Sequence, residues 1–209
     1  MKHPDAHPAW RHLRLPLALA AVLLQGCATA PQAVSVAAPA SARPATAAIT
    51  PQQQAELDAA LALAQAGQHE PAIDALRKLA IALPDSAVPA INLALIHTRQ
   101  DKPELAEAQL KKALAIEPDN PVAGNELAVL YRRGGRFAEA RATYERLLAK
   151  YPHFAIAHKN LGVLCDLYLK DYPCAIDHYQ AYALSTPNDK NVQIWIADLQ
   201  KRSGTKERQ

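Results

Sequence analysis

Residues 106–118 read AEAQLKKALAIEP and residues 140–152 read ARATYERLLAKYP. Each stretch opens on an alanine, places a bulky apolar residue four positions later and closes on a proline. The same frame fits residues 72–84, AIDALRKLAIALP, and residues 175–187, AIDHYQAYALSTP. Ala72, Ala106 and Ala140 are 34 residues apart, and Ala175 follows after 35. Leu76, Leu110, Tyr144 and Tyr179 keep that spacing, as do Pro84, Pro118, Pro152 and Pro187. A period of this length marks a stacked repeat architecture and has to be read before any single element is assigned. Ala106, Leu110, Ala113 and Leu114 lie at i, i+4, i+7 and i+8, one face of a helix, and Ala140, Tyr144, Leu147 and Leu148 repeat it. Upstream in the later units comes a large–small pair, Leu93-Ala94, Leu127-Ala128 and Leu161-Gly162, while the first unit has Ala59-Ala60, an alanine where the others have leucine. Each unit therefore holds two amphipathic helices. Pro51, Pro71, Pro103 and Pro173 sit where helices open, and the alanine-rich composition with 5% aromatics favours helix over sheet.

In period and motif this pattern resembles the tetratricopeptide repeat (TPR) from residue 53 to residue 187. The resemblance implies an all-α helical solenoid of four helix-turn-helix repeats, at about 53–86, 87–120, 121–154 and 155–189. One unit cannot bury its own apolar face, whereas a stack can. Gly67, Asp101 and Gly135 fall at the turn inside a unit. After the fourth copy, Val192, Ile194, Trp195, Ile196 and Leu199 give a C-terminal capping helix over 190–202, with residues 203–209 as a polar tail.

The opening residues read differently. Lys2, Arg11 and Arg14 precede an apolar run from Leu15 to Leu24. Its ten residues span about 15 Å as a helix, half of a bilayer core, which fits a secretory signal peptide over 1–26. Leu24-Gln25-Gly26-Cys27 resembles the bacterial lipoprotein box. That resemblance implies acylation of Cys27, a membrane attachment by an N-terminal lipid anchor and, with Ala28 following, an outer-membrane address facing the periplasm; two or more acyl chains suffice for stable anchoring. Residues 28–49, rich in Ala, Pro, Ser and Thr with one charge, read as a tether from Cys27 to the TPR domain at 50–202. Removing residues 1–26 leaves 20 Lys+Arg against 19 Asp+Glu, so nothing global supports nucleic-acid binding.

In the TPR family the inner surface is lined by the first helix of each unit. Residues at the second, fifth, sixth, ninth, twelfth and thirteenth places face it, which puts Val88, Ile91, Asn92, Leu95, Thr98 and Arg99 there. The third unit supplies Val122, Asn125, Glu126, Val129, Arg132 and Arg133; the fourth supplies Ile156, Lys159, Asn160, Val163, Asp166 and Leu167. The ninth place is apolar throughout: Leu61, Leu95, Val129 and Val163. The asparagine of carboxylate-clamp repeats is missing there. The expected site is thus a peptide groove with Asn125 and Asn160 positioned for backbone and Arg132, Arg133 and Lys159 for an acidic side chain.

Cys165 and Cys174, both in the fourth unit, lie on its two facing helices, and in an oxidising periplasm they are expected to form a disulfide; two buried thiols are the other reading. His69, His97, His153, His158 and His178 include no i, i+4 zinc pair, and no phosphate loop or nucleophile elbow occurs, so no enzyme, cofactor, metal or small-molecule substrate is expected. The resemblance implies an adaptor holding another envelope protein or peptide segment, in assembly of a pilus, secretion, transport or cell-wall complex. Two other readings stay open: a glycan-binding module stacking sugars on Tyr168, Tyr172, Tyr179 and Tyr182, and a self-associating structural lipoprotein.

Overall fold

The computed structural model describes residues 49–206, which form nine α-helices and no strand. They are α1 (Pro51–Gln65), α2 (His69–Ala82), α3 (Val88–Arg99), α4 (Pro103–Ile116), α5 (Pro121–Arg133), α6 (Phe137–Lys150), α7 (Ala155–Val163), α8 (Tyr172–Ser185) and α9 (Lys190–Lys206). The pairs α1–α2, α3–α4, α5–α6 and α7–α8 are the four expected units, and each second helix also packs on the next first helix. The expected signal peptide, Cys27 and most of the expected tether lie outside the described residues. No helix among those described is long and apolar enough to cross a membrane.

Local chemistry accounts for the ends of the helices. Thr50 and Gln53 form a reciprocal capping box at the start of α1, with Thr50 Oγ1 accepting from the Gln53 amide at 3.2 Å. The Asn120 side chain caps α5 and the Asp171 side chain caps α8. Inside each unit the chain turns through one residue with positive φ: Gly67 (76°), Asp101 (55°), Gly135 (75°) and Lys170 (55°). The sequence marks the first three, while a lysine at the fourth is the least expected, since a Cβ disfavours this conformation. At each turn an amide reaches back to close the preceding helix: Gln68 to the Leu63 carbonyl, Lys102 to His97 and Arg136 to Tyr131. Those bonds span five residues. In the fourth unit the Asp171 amide reaches the Cys165 carbonyl at 2.9 Å, across six. There α7 continues as a π-helical stretch, Leu164–Leu169. The extra residue of the 35-residue unit is thus absorbed in the last turns of its first helix as a single π-helical insertion.

Small residues set the helix spacing. Ala60, Ala94 and Ala128 are essentially buried, as are Ala72, Ala106, Ala140 and Ala175 on the second helices. Leu76, Leu110, Tyr144 and Tyr179 fill the joints and are buried in turn; each such side chain contributes about 1.5–3 kcal/mol. Desolvation pushes the Tyr144 hydroxyl up and the Tyr179 hydroxyl up to about 12. Gly162 takes the alanine's place in the fourth unit, and the Tyr179 ring lies directly over its Cα. The core falls into two clusters. One joins α1 and α2 to Leu93 and Ile96 of α3. The other runs from Ala87 and Ala90 to Leu199.

Polar ties bridge the units on the outside. Glu107 pairs with Arg136 and Lys111, and the Arg136 guanidinium holds its carboxyl down at about 2. Arg141 pairs with Asp171 and Lys150 with Asp119. The α9 helix reaches Lys206, past the end at 202 that the sequence predicts, so part of the expected polar tail is helical; the Ser203 hydroxyl donates to the Gln200 carbonyl at 3.0 Å. Trp195 on α9 packs against Tyr179, with ring centroids 5.4 Å apart. Cys165 and Cys174 are joined in a disulfide with Cα atoms 5.9 Å apart, tying the π-helical stretch to α8.

Candidate functional site

The first helices α1, α3, α5 and α7 form one face of the stack, and α1 touches α3 as α5 touches α7. Two apolar rows run along it. The second-place residues Val88, Val122 and Ile156 are 37%, 46% and 43% exposed, an unusual repetition for large aliphatic side chains. The ninth-place residues Leu61, Leu95, Val129 and Val163 are half-buried, their inner sides against the core and their outer sides accessible. Between α1 and α3, Leu61, Asn92, Leu95 and Arg99 line a recess. Leu167 and Tyr168, 54% and 42% exposed, extend the apolar surface at the far end of α7.

The polar side chains depart from expectation in an informative way. Asn125 is buried, and its Oδ1 accepts from Asn160 Nδ2 at 3.0 Å while its Nδ2 donates to Glu126 at 3.1 Å. Asn125 therefore joins α5 to α7 and is unavailable to a ligand; half-buried Asn160 remains on the surface. Ile91 is likewise a core residue, 6% exposed, and does not line the groove. Lys159, the expected anion reader, is engaged by the capping region. Its ammonium lies 4.9 Å from the Tyr182 ring centroid, 5.7 Å from that of Trp195 and 3.7 Å from Asp189. The Tyr182 hydroxyl donates to Asp189 at 3.0 Å and holds that carboxyl below its usual range. These three residues share the fifth place of their units, and that place points inward or along the stack.

Asn92 is half-buried and donates to the Val88 carbonyl at 2.9 Å, leaving its Oδ1 to accept. Arg132 stacks over Tyr168 at 5.6 Å, with Nη1 3.4 Å from that hydroxyl, so it is held beside the apolar strip. Arg99 and Arg133, both at the thirteenth place, are exposed and have no ion-pair partner among the described residues. The face is thus an apolar strip with an amide edge at Asn92 and Asn160 and a cationic edge at Arg99, Arg132 and Arg133. Such a surface can take an extended or helical segment bearing apolar side chains and an acidic flank. Sequence spacing identifies the rows; it does not reveal how the fifth place is rotated.

The four tyrosines do not form a stacking platform. Tyr179 is buried, Arg202 covers Tyr172 at 4.5 Å, Lys159 covers Tyr182, and Tyr168 packs tilted on Phe137 at 4.9 Å. Cys165, Asp171 and Cys174 come close enough to suggest a metal cluster, but the disulfide engages both sulfurs.

Two sequence profiles described as tetratricopeptide repeat match residues 97–161 and 54–86. The chain therefore carries TPR repeats, in the two-helix units described above. No curated protein matches it. Among solved structures, the pilF protein of Pseudomonas aeruginosa is 25% identical over 73% of this chain and 69% of its own, with a TM-score of 0.65. MamA from Desulfovibrio magneticus, at 16% identity, covers 75% of this chain and 88% of its own with a TM-score of 0.62. A tetratricopeptide repeat protein from Parabacteroides merdae, at 21% identity, covers 73% and 60% with a TM-score of 0.63. These likenesses establish the helical solenoid.

Proposed function

We propose that the chain is a non-enzymatic adaptor, tethered to the outer membrane by a lipid on Cys27, that holds a segment of another envelope protein against its first-helix face. The observation that carries the groove is the pair of periodic apolar rows, exposed Val88, Val122 and Ile156 beside half-buried Leu95, Val129 and Val163. Exposed aliphatic side chains repeating at one helical place make a continuous strip, and a strip of this kind marks an interaction site. The unpaired Arg99 and Arg133 give the partner an acidic flank. Support for the tether comes from the lipoprotein-like box at Leu24–Cys27 and the proline-rich stretch after it.

The test uses the full chain in a bacterial host, with a photo-cross-linking residue introduced at Arg133. One envelope protein is expected in the adduct, lost with Val122→Asp or Val129→Arg and kept with Ile81→Arg, which alters an exposed residue of α2. An adduct that survives both groove variants overturns the groove. Cys27→Ala is expected to release the protein from the membrane fraction, and retention there overturns the lipid anchor independently.

A further inference from the structure

The α9 helix continues the repeat. Thirty-five residues after Leu161-Gly162 stands Ile196-Ala197, the large–small pair of a first helix. Val192, Ile196 and Leu199 are buried as Ala157, Leu161 and Leu164 are one unit earlier. In the four complete units the small residue of the pair is buried, and a second helix, whose own alanine is buried too, packs on each first helix. Ala197 has no such cover. It is exposed, and with Gln193 and Gln200 it forms one wall of a cleft whose other wall is Ala181 and Leu184 of α8. Leu184 is 87% exposed. No helix follows α9 among the described residues.

We infer that the α8–α9 cleft is the open seat of a second helix and takes an amphipathic helix of a partner protein. The interface made four times within the chain says what fits: a small residue set against Ala197 and a bulky apolar residue four places on. Among the described residues Asp177 is the one charged side chain lining the cleft, so the incoming helix is neutral or basic on its flank. A second copy of α9 does not meet this requirement, because four places after Ala197 it carries Lys201 instead of an apolar side chain. The seat lies on a different pair of helices from the first-helix strip, so the adaptor has a second docking point at the end of its stack. A protein binding there would extend the solenoid in trans by one helix, as helix-in-groove recognition does elsewhere.

The test is fluorescence anisotropy with the full chain and a fluorescein-labelled peptide of residues 137–152, a second helix of matching pattern and net positive charge. Saturable binding is expected, at least tenfold weaker with Ala197→Leu or Leu184→Lys and unchanged with Val129→Arg. A peptide carrying Ala140→Leu is expected to bind at least tenfold more weakly. Ala197 and Leu184 are exposed, so both protein variants should melt as the parent does; whichever does so serves for the comparison. Absence of binding at millimolar protein, or equal binding to parent and variants, overturns the seat. Light scattering that shows a dimer abolished by Ala197→Leu overturns the partner reading in favour of a second copy.

Discussion

Two glycines inside first helices give opposite answers to the same substitution. A glycine in a helix interior costs roughly 0.5–1 kcal/mol relative to alanine, so replacement is favourable wherever the added methyl finds room. At Gly124 a Cβ would meet Leu147 Cδ1 and Cδ2 at 3.7 and 3.8 Å, ordinary contact. Gly124→Ala should therefore stabilise by about 0.5–1 kcal/mol. At Gly162 the Cβ would fall 2.6 Å from two ring carbons of Tyr179, about 1 Å inside the contact distance for carbon atoms. That ring is buried and backed by Trp195, so relief requires the joint between α8 and α9 to open. Overpacking of this kind costs about 1–3 kcal/mol and outweighs the helix gain, for a net loss of about 1–2 kcal/mol. For a domain of this size each kcal/mol moves Tm by roughly 2–4 °C. Circular-dichroism melts should place Gly124→Ala a few degrees above the parent and Gly162→Ala a few degrees below it. Unit three combines Ala128 with Tyr144, so size alone does not forbid the pair; the orientation of Tyr179 against Trp195 does. Equal stabilisation by both substitutions would refute the argument and show that Tyr179 turns to the position Tyr144 occupies.

Reducing the Cys165–Cys174 disulfide, or substituting both cysteines by serine, frees a short loop; the chain-entropy estimate predicts a loss of about 2–3 kcal/mol, read as a drop in the urea midpoint, and an unchanged midpoint would refute it. His178 faces His158, with Nδ1 atoms 3.0 Å apart, and Asp177, Arg141 and Glu145 also act on it. Burial, then His158, hold its pKa below the ordinary value, so the folded state resists the proton. Its neutral form costs nothing above the unfolded pKa, and stability is lost as pH falls below about 6.5. Melts at pH 8 and pH 5 should differ less for His178→Gln than for the parent; an equal difference would mean another group governs the acid response.

The fold was legible because each unit states it again. Ala106 facing the large–small pair, Leu110 at the joint and Pro118 at the exit are local signals whose repetition removes ambiguity about period. The fourth unit shows the limit. Its spacing of 35 declares an extra residue, but only the hydrogen bond from Asp171 to Cys165 shows that the helix end absorbs it as a π turn. The candidate site was legible in rows and not in rotation. Val129 and Asn125 lie four places apart on one helix, and a modest roll leaves the first accessible and the second buried between α5 and α7. The contacts of Lys159 escape the sequence for another reason: Tyr182, Asp189 and Trp195 arrive from 23 to 36 positions later, beyond any pattern within a unit.

The division of the core inside α3 has a mechanical meaning. Leu93 and Ile96 pack toward α1 and α2, while Ala90, Ile91 and Ala94 pack toward the rest of the stack. Unit one holds the smaller cluster, and α1 buries just Leu57, Ala60 and Ala64. A pull applied through the chain before Ile49 loads this unit first, and it can peel away while α3 keeps its other side packed. The first pair of helices would then serve as a fuse, lengthening under tension before the load reaches the apolar rows of α3, α5 and α7 and the seat beyond them.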